Sequence, residues 1–262
     1  MRDDEVERYL KAIQRVQGRE GSRADEFFTA QNVIEKDNAF SALIDHPRHL
    51  GLVYDLYGEM LKLQLSELFV RPPGAARPQR WHIDGPRALP YAAFAPKAPL
   101  QVKVGYWLTD VHKPGMGNLV YVPGSHRRQY FSAYDTHEVA VGEESLCIRR
   151  GALTLMDCAL WHRTAPNDST ATRVNLYLGY CPSWIPSADR NVSDPTWLAS
   201  LNREQRIIMR SYEKAYTHAK PPAEDFTLFL DRDSGMDREP NRYRDLVRLF
   251  HRKRRTWWEV HG

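Results

Sequence analysis

The sequence has few cysteines and no long apolar segment. Its 262 residues include three cysteines, Cys147, Cys158 and Cys181, and none of them forms a Cys-x-x-Cys pair. An odd number of widely spaced cysteines indicates neither a disulfide framework nor a zinc knuckle, and favours reduced thiols. No run of eighteen apolar residues occurs, and no apolar stretch follows the charged segment at residues 1–5. We therefore expect a cytoplasmic protein with neither an export signal nor a membrane segment.

The sequence also lacks internal repeats and low-complexity tracts. It is 42% hydrophobic and 27% charged, a composition typical of a globular protein with a full core. This length is compatible with one all-β domain that carries helical additions. We expect a single domain over residues 1–262, with a helical N-terminal part over about 1–62, a β-rich core over about 63–182 and a helical C-terminal extension over about 195–262.

Positive charge is concentrated in one stretch of the chain. Nine Lys or Arg residues and two acidic residues lie between Arg71 and Arg128, so this stretch carries +7 while the whole chain carries +4. Such a stretch favours anionic small molecules, but a solvated basic surface has the same composition, and both interpretations stay open. The basic run at residues 251–255 is interpreted as a solvated helix face, so we expect no nucleic-acid partner.

Helical periodicity marks both ends of the chain, and short apolar runs fill the middle. Helices are predicted over Asp3–Gln17, Val33–Ile44, Leu50–Leu63, Trp197–Lys214 and Arg242–Trp258. The predicted strands are Gln64–Val70, Gln79–Asp84, Leu100–Leu108, Leu119–Val122, Glu138–Val141, Ser145–Ile148, Leu153–Met156 and Arg173–Tyr180. Many short strands with Gly and Pro turns favour a mainly β fold with flanking helices, namely a cupin-like jelly roll, or double-stranded β-helix.

Three residues could hold a metal ion. His82 and Asp84 are separated by one residue in a predicted strand, so their side chains share a face, and His162 could join them from a distant strand. Two imidazoles and one carboxylate form the facial triad that suits non-haem Fe(II) and leaves positions open for substrate and oxygen. His-x-Asp alone is a weak signal, so its value depends on the motifs around it.

Further motifs accompany the three residues. They are Gly117–His126 with its Pro-Gly-Ser-His turn, Gly151–Asp157 leading into His162, and Arg173 eleven positions after His162. In order and spacing, from about residue 64 to residue 180, this set resembles the phytanoyl-CoA dioxygenase family of Fe(II)/2-oxoglutarate oxygenases. The resemblance implies a dioxygenase that uses Fe(II), O₂ and the co-substrate 2-oxoglutarate. Such an enzyme hydroxylates an unactivated C–H of a small organic molecule, for which the basic stretch favours an anion, and releases succinate and CO₂.

The resemblance also implies which residues carry the reaction. His82, Asp84 and His162 would be the catalytic iron ligands, and Arg173 would hold the distal carboxylate of 2-oxoglutarate. Arginine suits this task because its planar fork pairs with both carboxylate oxygens and stays charged when buried. In related halogenases a small apolar residue replaces the carboxylate ligand, so Asp84 favours hydroxylation.

Three further residues are candidates for contacts with 2-oxoglutarate. Thr164 lies two positions after His162, where the family has a hydroxyl residue. Tyr106 is the matching aromatic residue in the strand before the Pro-Gly-Ser-His turn, and Gln64 lies on the strand that enters the site. All three follow from the resemblance.

Two other functions stay open. One is a cupin-type metalloenzyme that does not use 2-oxoglutarate, and Arg173 at its spacing from His162 argues against it. The other is a catalytically inactive jelly-roll binding protein, which would have no reason to keep all three ligands. The sequence specifies neither the substrate nor the oligomeric state.

Overall fold

The computed structural model describes residues 1–23, 25–74, 80–84, 99–127 and 137–229. They belong to one compact unit, Met1–Phe229. The helix predicted over Arg242–Trp258 lies outside the described residues, so the expected extension of the domain to residue 262 stays a prediction. None of the helices described is both long enough and apolar enough to cross a bilayer.

Helices lie at both ends of the described chain. They are α1 (Asp3–Arg19), α2 (Val33–Lys36), α3 (Pro47–Tyr57), α4 (Pro195–Ser200), α5 (Arg203–Met209) and α6 (Ala215–Ala219). The helix predicted over Val33–Ile44 is in fact two pieces, α2 and a 3₁₀ helix at Asn38–Leu43. Asp37 divides them because its backbone is extended and its side chain accepts a hydrogen bond from the N–H of Ala39, as an N-cap does.

Within the described residues, eight strands form two antiparallel sheets. They are β1 (Phe28–Gln31), β2 (Leu61–Arg71), β3 (Val102–Trp107), β4 (Leu119–Tyr121), β5 (Glu144–Ser145), β6 (Leu153–Asp157), β7 (His162–Thr164) and β8 (Arg173–Pro182). The larger sheet has the order β1-β2-β8-β3-β6, and the smaller one has the order β5-β4-β7.

The strand predictions need four corrections. β1 was not expected, and β2 begins at Leu61, so the N-terminal part is not purely helical. Glu138–Val141 forms no strand, and the pairing in this region comes from β5 instead. Of the strand expected to end at Asp84, the described residues contribute one isolated bridge, at His82.

The central strand β8 is buried along its whole length. Its even-numbered residues, from Val174 to Tyr180, pack in the main core with the helices. Its odd-numbered side chains turn to the opposite face, because side chains alternate along a strand. Each large apolar side chain buried in this way stabilises the fold by about 1.5–3 kcal/mol. The helical layer therefore determines which residues of β8 remain for a site.

A buried histidine joins α3 to the back of the larger sheet. His49 Nδ1 lies 2.5 Å from the hydroxyl of Tyr106, and His49 Nε2 lies 2.7 Å from the hydroxyl of Tyr180. The Tyr180 hydroxyl donates its one hydrogen to the carbonyls of Leu43 and Ile44, so it accepts from Nε2. Nδ1 then accepts from Tyr106, and the imidazole is neutral. Burial lowers the pKa of His49 to about 3.

The neutral state of His49 makes the stability of the protein depend on pH. The unfolded histidine binds a proton near pH 6.5, whereas the folded one does not. The contribution of His49 to the free energy of unfolding is therefore fully present above pH 6.5 and is lost as the pH falls towards 3. Between pH 7.5 and pH 5 we expect His49 to account for a loss of about 2 kcal/mol in the free energy of unfolding. Urea unfolding of the wild type and of His49→Gln at both pH values measures this loss. Equal pH dependence in the two proteins would contradict the prediction.

Candidate active site

A cavity lies between the two sheets, and residues from both sheets line it. They are Glu67, Phe69, His82, Asp84, Lys103, Leu119, Met156, His162, Thr164, Arg173 and Tyr177. The set contains the three candidate metal ligands and Arg173, together with an apolar wall.

Backbone pairing brings the candidate metal ligands together. The N–H of His82 donates to the carbonyl of His162 at 3.0 Å, and the N–H of His162 donates to the carbonyl of His82 at the same distance. The N–H of Asp84 donates to the carbonyl of Cys158 at 2.8 Å, which anchors Asp84 to the segment between β6 and β7. One ligand atom from each of His82, Asp84 and His162 lies within 4.8 Å of the others. The structure therefore gathers the three residues that the sequence singled out.

Both imidazoles are oriented for metal binding by their own backbone. His82 Nδ1 lies 2.8 Å from the carbonyl oxygen of Arg80, and His162 Nδ1 lies 2.8 Å from the carbonyl oxygen of Leu160. A carbonyl only accepts, so Nδ1 carries a hydrogen in each ring, and the neutral imidazole then has its lone pair on Nε2. The two Nε2 atoms lie 3.9 and 3.4 Å from carboxylate oxygens of Asp84. This donor set fits a divalent iron ion.

The protonation states at the site also suit a metal. Burial lowers the pKa of His162 to about 4, so its imidazole is neutral at physiological pH. Burial alone would raise the pKa of Asp84, but the nearby positive charge of Lys103 outweighs burial and lowers that pKa. The site therefore presents a neutral imidazole at His162 and an ionised carboxylate at Asp84, the forms that bind metal.

Arg173 lies at the start of β8 and is almost fully buried, at 3% exposure. Its Nε donates to Oδ1 of Asn175 at 3.0 Å, and Nη1 donates to the carbonyl of Gly117. The guanidinium carbon lies 4.9 Å from the centroid of the Trp107 ring, within range of a cation–π contact. Burial lowers the pKa of Arg173, but an arginine stays charged. The cavity therefore contains a fixed cation suited to a carboxylate.

Thr164 lines the same cavity as Arg173. It ends β7, two residues after His162, so it shares a strand face with that histidine, and it is buried. Tyr177 also lines the cavity, because it lies on the face of β8 that carries Arg173.

The expectation for Tyr106 is corrected by the structure. Tyr106 packs in the main core, and its hydroxyl bonds to His49, on the face of the larger sheet that turns away from the cavity. The alternation of β3 directs Lys103 and Trp107 to the cavity face instead. The aromatic residue beside Arg173 is therefore Trp107, one position further along the strand.

The expectation for Gln64 is also corrected. Gln64 lies at an irregularity in the pairing of β2, and its side chain donates to the carbonyl of Pro186 at 3.0 Å and accepts from Gln101. A bulge of this kind changes which residues face a cavity. The β2 residues that line the cavity are Glu67 and Phe69, and the sequence predicted neither of them for the site.

Glu67 contacts a second residue that the sequence did not single out for the site. In the sequence, Lys103 was noted only as one of the basic residues between Arg71 and Arg128. In the structure its ammonium lies 2.9 Å from Glu67 and 3.0 Å from Asp84. A lysine within the apolar run of β3 is the signal that could have identified it. The attraction of Asp84 and Glu67 outweighs burial and raises the pKa of Lys103, so the ammonium stays charged.

Comparisons with known proteins agree with this geometry. Residues 1–175 match the model of the family described as Phytanoyl-CoA dioxygenase (PhyH). A curated relative, the probable alpha-ketoglutarate-dependent hypophosphite dioxygenase of Stutzerimonas stutzeri, is 26% identical over 163 residues. The match covers 55% of this chain and 53% of the relative, so the chain spans about half the length of that protein.

Solved structures share the fold. HygX from Streptomyces hygroscopicus, with nickel and 2-oxoglutarate bound, superimposes with a TM-score of 0.61 at 18% identity, over 74% of this chain and 85% of its own. The alpha-ketoglutarate-dependent carbocyclase SnoK from nogalamycin biosynthesis gives a TM-score of 0.54 at 23% identity, over 70% and 77%. The jelly-roll prediction is confirmed. Because the family model covers about two thirds of the sequence, the chain belongs to the phytanoyl-CoA dioxygenase family of Fe(II)/2-oxoglutarate-dependent oxygenases.

Proposed function

We propose that this protein is an Fe(II)/2-oxoglutarate-dependent dioxygenase that hydroxylates an unactivated C–H of a small organic molecule and releases succinate and CO₂. One observation carries the proposal: two Nε2 lone pairs and one carboxylate meet in a cavity that also contains a buried arginine. A cupin that does not use 2-oxoglutarate would have no need of Arg173. A binding protein would have no need of the three ligands.

The side chains that line the cavity would have three different roles. His82, Asp84 and His162 would hold the iron, which together with 2-oxoglutarate supplies the activation of O₂. Arg173 would bind the distal carboxylate of 2-oxoglutarate, with the hydroxyl of Thr164 beside it. The apolar side chains of Phe69, Leu119 and Met156 would exclude water from the reacting atoms.

The reconstituted protein should show the visible charge-transfer band of a 2-oxoglutarate–Fe(II) complex when oxygen is excluded. His82→Ala should abolish this band, and Arg173→Gln should weaken 2-oxoglutarate binding about 10- to 100-fold, because one charge-assisted pair is lost. His112→Ala is the matched control, since His112 is exposed. Folded wild-type protein that gives no band would overturn the proposal, and a band retained in His82→Ala would overturn the ligand assignment.

The hydroxyl groups of Thr164 and Tyr106 should affect different properties, because Thr164 lines the cavity and Tyr106 lies in the core. Thr164→Val should weaken 2-oxoglutarate binding about 2- to 10-fold, the effect of one neutral hydrogen bond. Tyr106→Phe should leave that affinity unchanged and lower the melting temperature, because it removes a bond to His49 in the core. Titration of the charge-transfer band and thermal unfolding measure the two effects. A weakened affinity in Tyr106→Phe would contradict this placement.

We further propose that the substrate is an anion and that the enzyme works in the cytoplasm. The excess of positive charge between Arg71 and Arg128 supports the first point, as does the name of the curated relative, since hypophosphite is an anion. The three cysteines, none of which is in a disulfide, support the second.

Matched pairs of candidate substrates test the anionic preference. For each carboxylate or phosphonate and its neutral amide or ester, we expect the anion to stimulate succinate release more strongly. The advantage should shrink as the salt concentration rises, because salt screens the attraction. Equal stimulation by neutral partners at all salt concentrations would contradict the preference.

A further inference from the structure

A line of alternating charges runs along the cavity wall from Glu67 through Lys103 to Asp84. The Lys103 ammonium lies 2.9 Å from Oε2 of Glu67 and 3.0 Å from Oδ2 of Asp84. The three side chains are mostly buried, with 16%, 9% and 17% of their surface exposed. The proposed function uses Asp84 and leaves the other two unassigned.

The larger sheet fixes the position of this ammonium. β2 and β3 flank β8, where Glu67 is paired with Tyr177 and Lys103 with Gly179, so the two charged side chains meet across the central strand. The ammonium also lies 5.7 Å from the centroid of the Tyr177 ring, within range of a cation–π contact. That ring packs over Gly105, where a Cβ atom would come within 2.9 Å of it. Lys103 is therefore held by packing as well as by charge.

The contact with Lys103 orients the carboxylate of Asp84. Oδ2, which Lys103 contacts, lies 3.4 Å from His162 Nε2, and Oδ1 lies 3.9 Å from His82 Nε2. A carboxylate turns about a single bond, so an ammonium on one oxygen selects one of its orientations. In the selected orientation each oxygen faces a different imidazole. Groups that orient metal ligands in this way contribute about 10- to 100-fold to metal affinity.

We propose that Lys103 is a positioning residue of the metal centre. It holds the Asp84 carboxylate in the orientation that binds the ion, and Glu67 supplies the countercharge that keeps Lys103 in place. The inference rests on the proposed function, since it takes His82, Asp84 and His162 as the metal ligands.

The direction in which metal affinity changes when Lys103 is removed distinguishes a positioning residue from a residue that merely lies near the site. A cation beside a metal-binding carboxylate repels a divalent ion, so removal of a bystander lysine would tighten metal binding. Removal of a positioning lysine would weaken metal binding, because the carboxylate loses its fixed orientation. The two roles therefore predict changes in opposite directions.

Anaerobic titration of the apoprotein with Co(II), followed by calorimetry and by the visible absorption of the bound ion, measures this sign. We expect Lys103→Met to weaken Co(II) binding about 10- to 100-fold and to alter the absorption bands. Lys103→Arg should stay within about threefold of the wild type, because an arginine also pairs with both carboxylates. Lys62→Met is the matched control, since Lys62 is a buried lysine whose ammonium donates to the carbonyl of Ile185, outside the cavity lining.

A double variant covers the case in which Lys103→Met fails to fold, because that change leaves the carboxylate of Glu67 buried without its partner. Glu67→Gln combined with Lys103→Met removes both charges and should weaken Co(II) binding to the same extent. Binding as tight as the wild type, or tighter, in folded Lys103→Met or in the double variant would overturn the role of Lys103 alone. Wild-type protein that binds no Co(II) would overturn the metal centre and this inference together.

Discussion

The two reciprocal backbone hydrogen bonds between His82 and His162 are the contact on which the candidate site depends. In the described part of the chain, His82 and Asp84 lie outside any extended strand, and this pairing attaches them to the smaller sheet. It sets the distance between the two imidazoles, whose ring centroids are 4.3 Å apart. The carbonyl partners of the two Nδ1 atoms come from the same backbone segments, two residues before each histidine. The same two backbone segments therefore set both the position and the tautomer of the metal-binding imidazoles.

Much of the site could be predicted because its residues follow simple rules of spacing. The separation of His82 from Asp84 by one residue, and of His162 from Thr164 by one residue, directs the side chains of each pair to the same side wherever the backbone is extended. The predictions for Tyr106 and Gln64 failed because they required knowledge of which face of a strand turns inward. For Tyr106 the competing partner was His49, which takes its hydroxyl into the core. For Gln64 the cause was an irregularity of β2, which local sequence does not reveal.

The pairing of Glu67 with Lys103 could not be predicted for a different reason. The two residues are 36 positions apart and meet only because β8, from much later in the chain, inserts between their strands. The same dependence on distant chain explains β1, a four-residue strand that exists through its pairing with β2. By contrast α1 was predicted closely, since its apolar face and its acidic first turn are properties of neighbouring residues.

The alternation along β8 has a consequence for how such an enzyme can change over evolutionary time. Arg173 and Tyr177, which line the cavity, alternate with residues that pack in the core with the helices, namely Val174, Leu176, Leu178 and Tyr180. Substitution at position 177 can therefore alter what the cavity accepts while the core face of β8 stays as it is. Insertion or deletion of a single residue would exchange the two sets and lose both. New substrates should thus arise in this strand by replacement of side chains, while changes in length are confined to the loops.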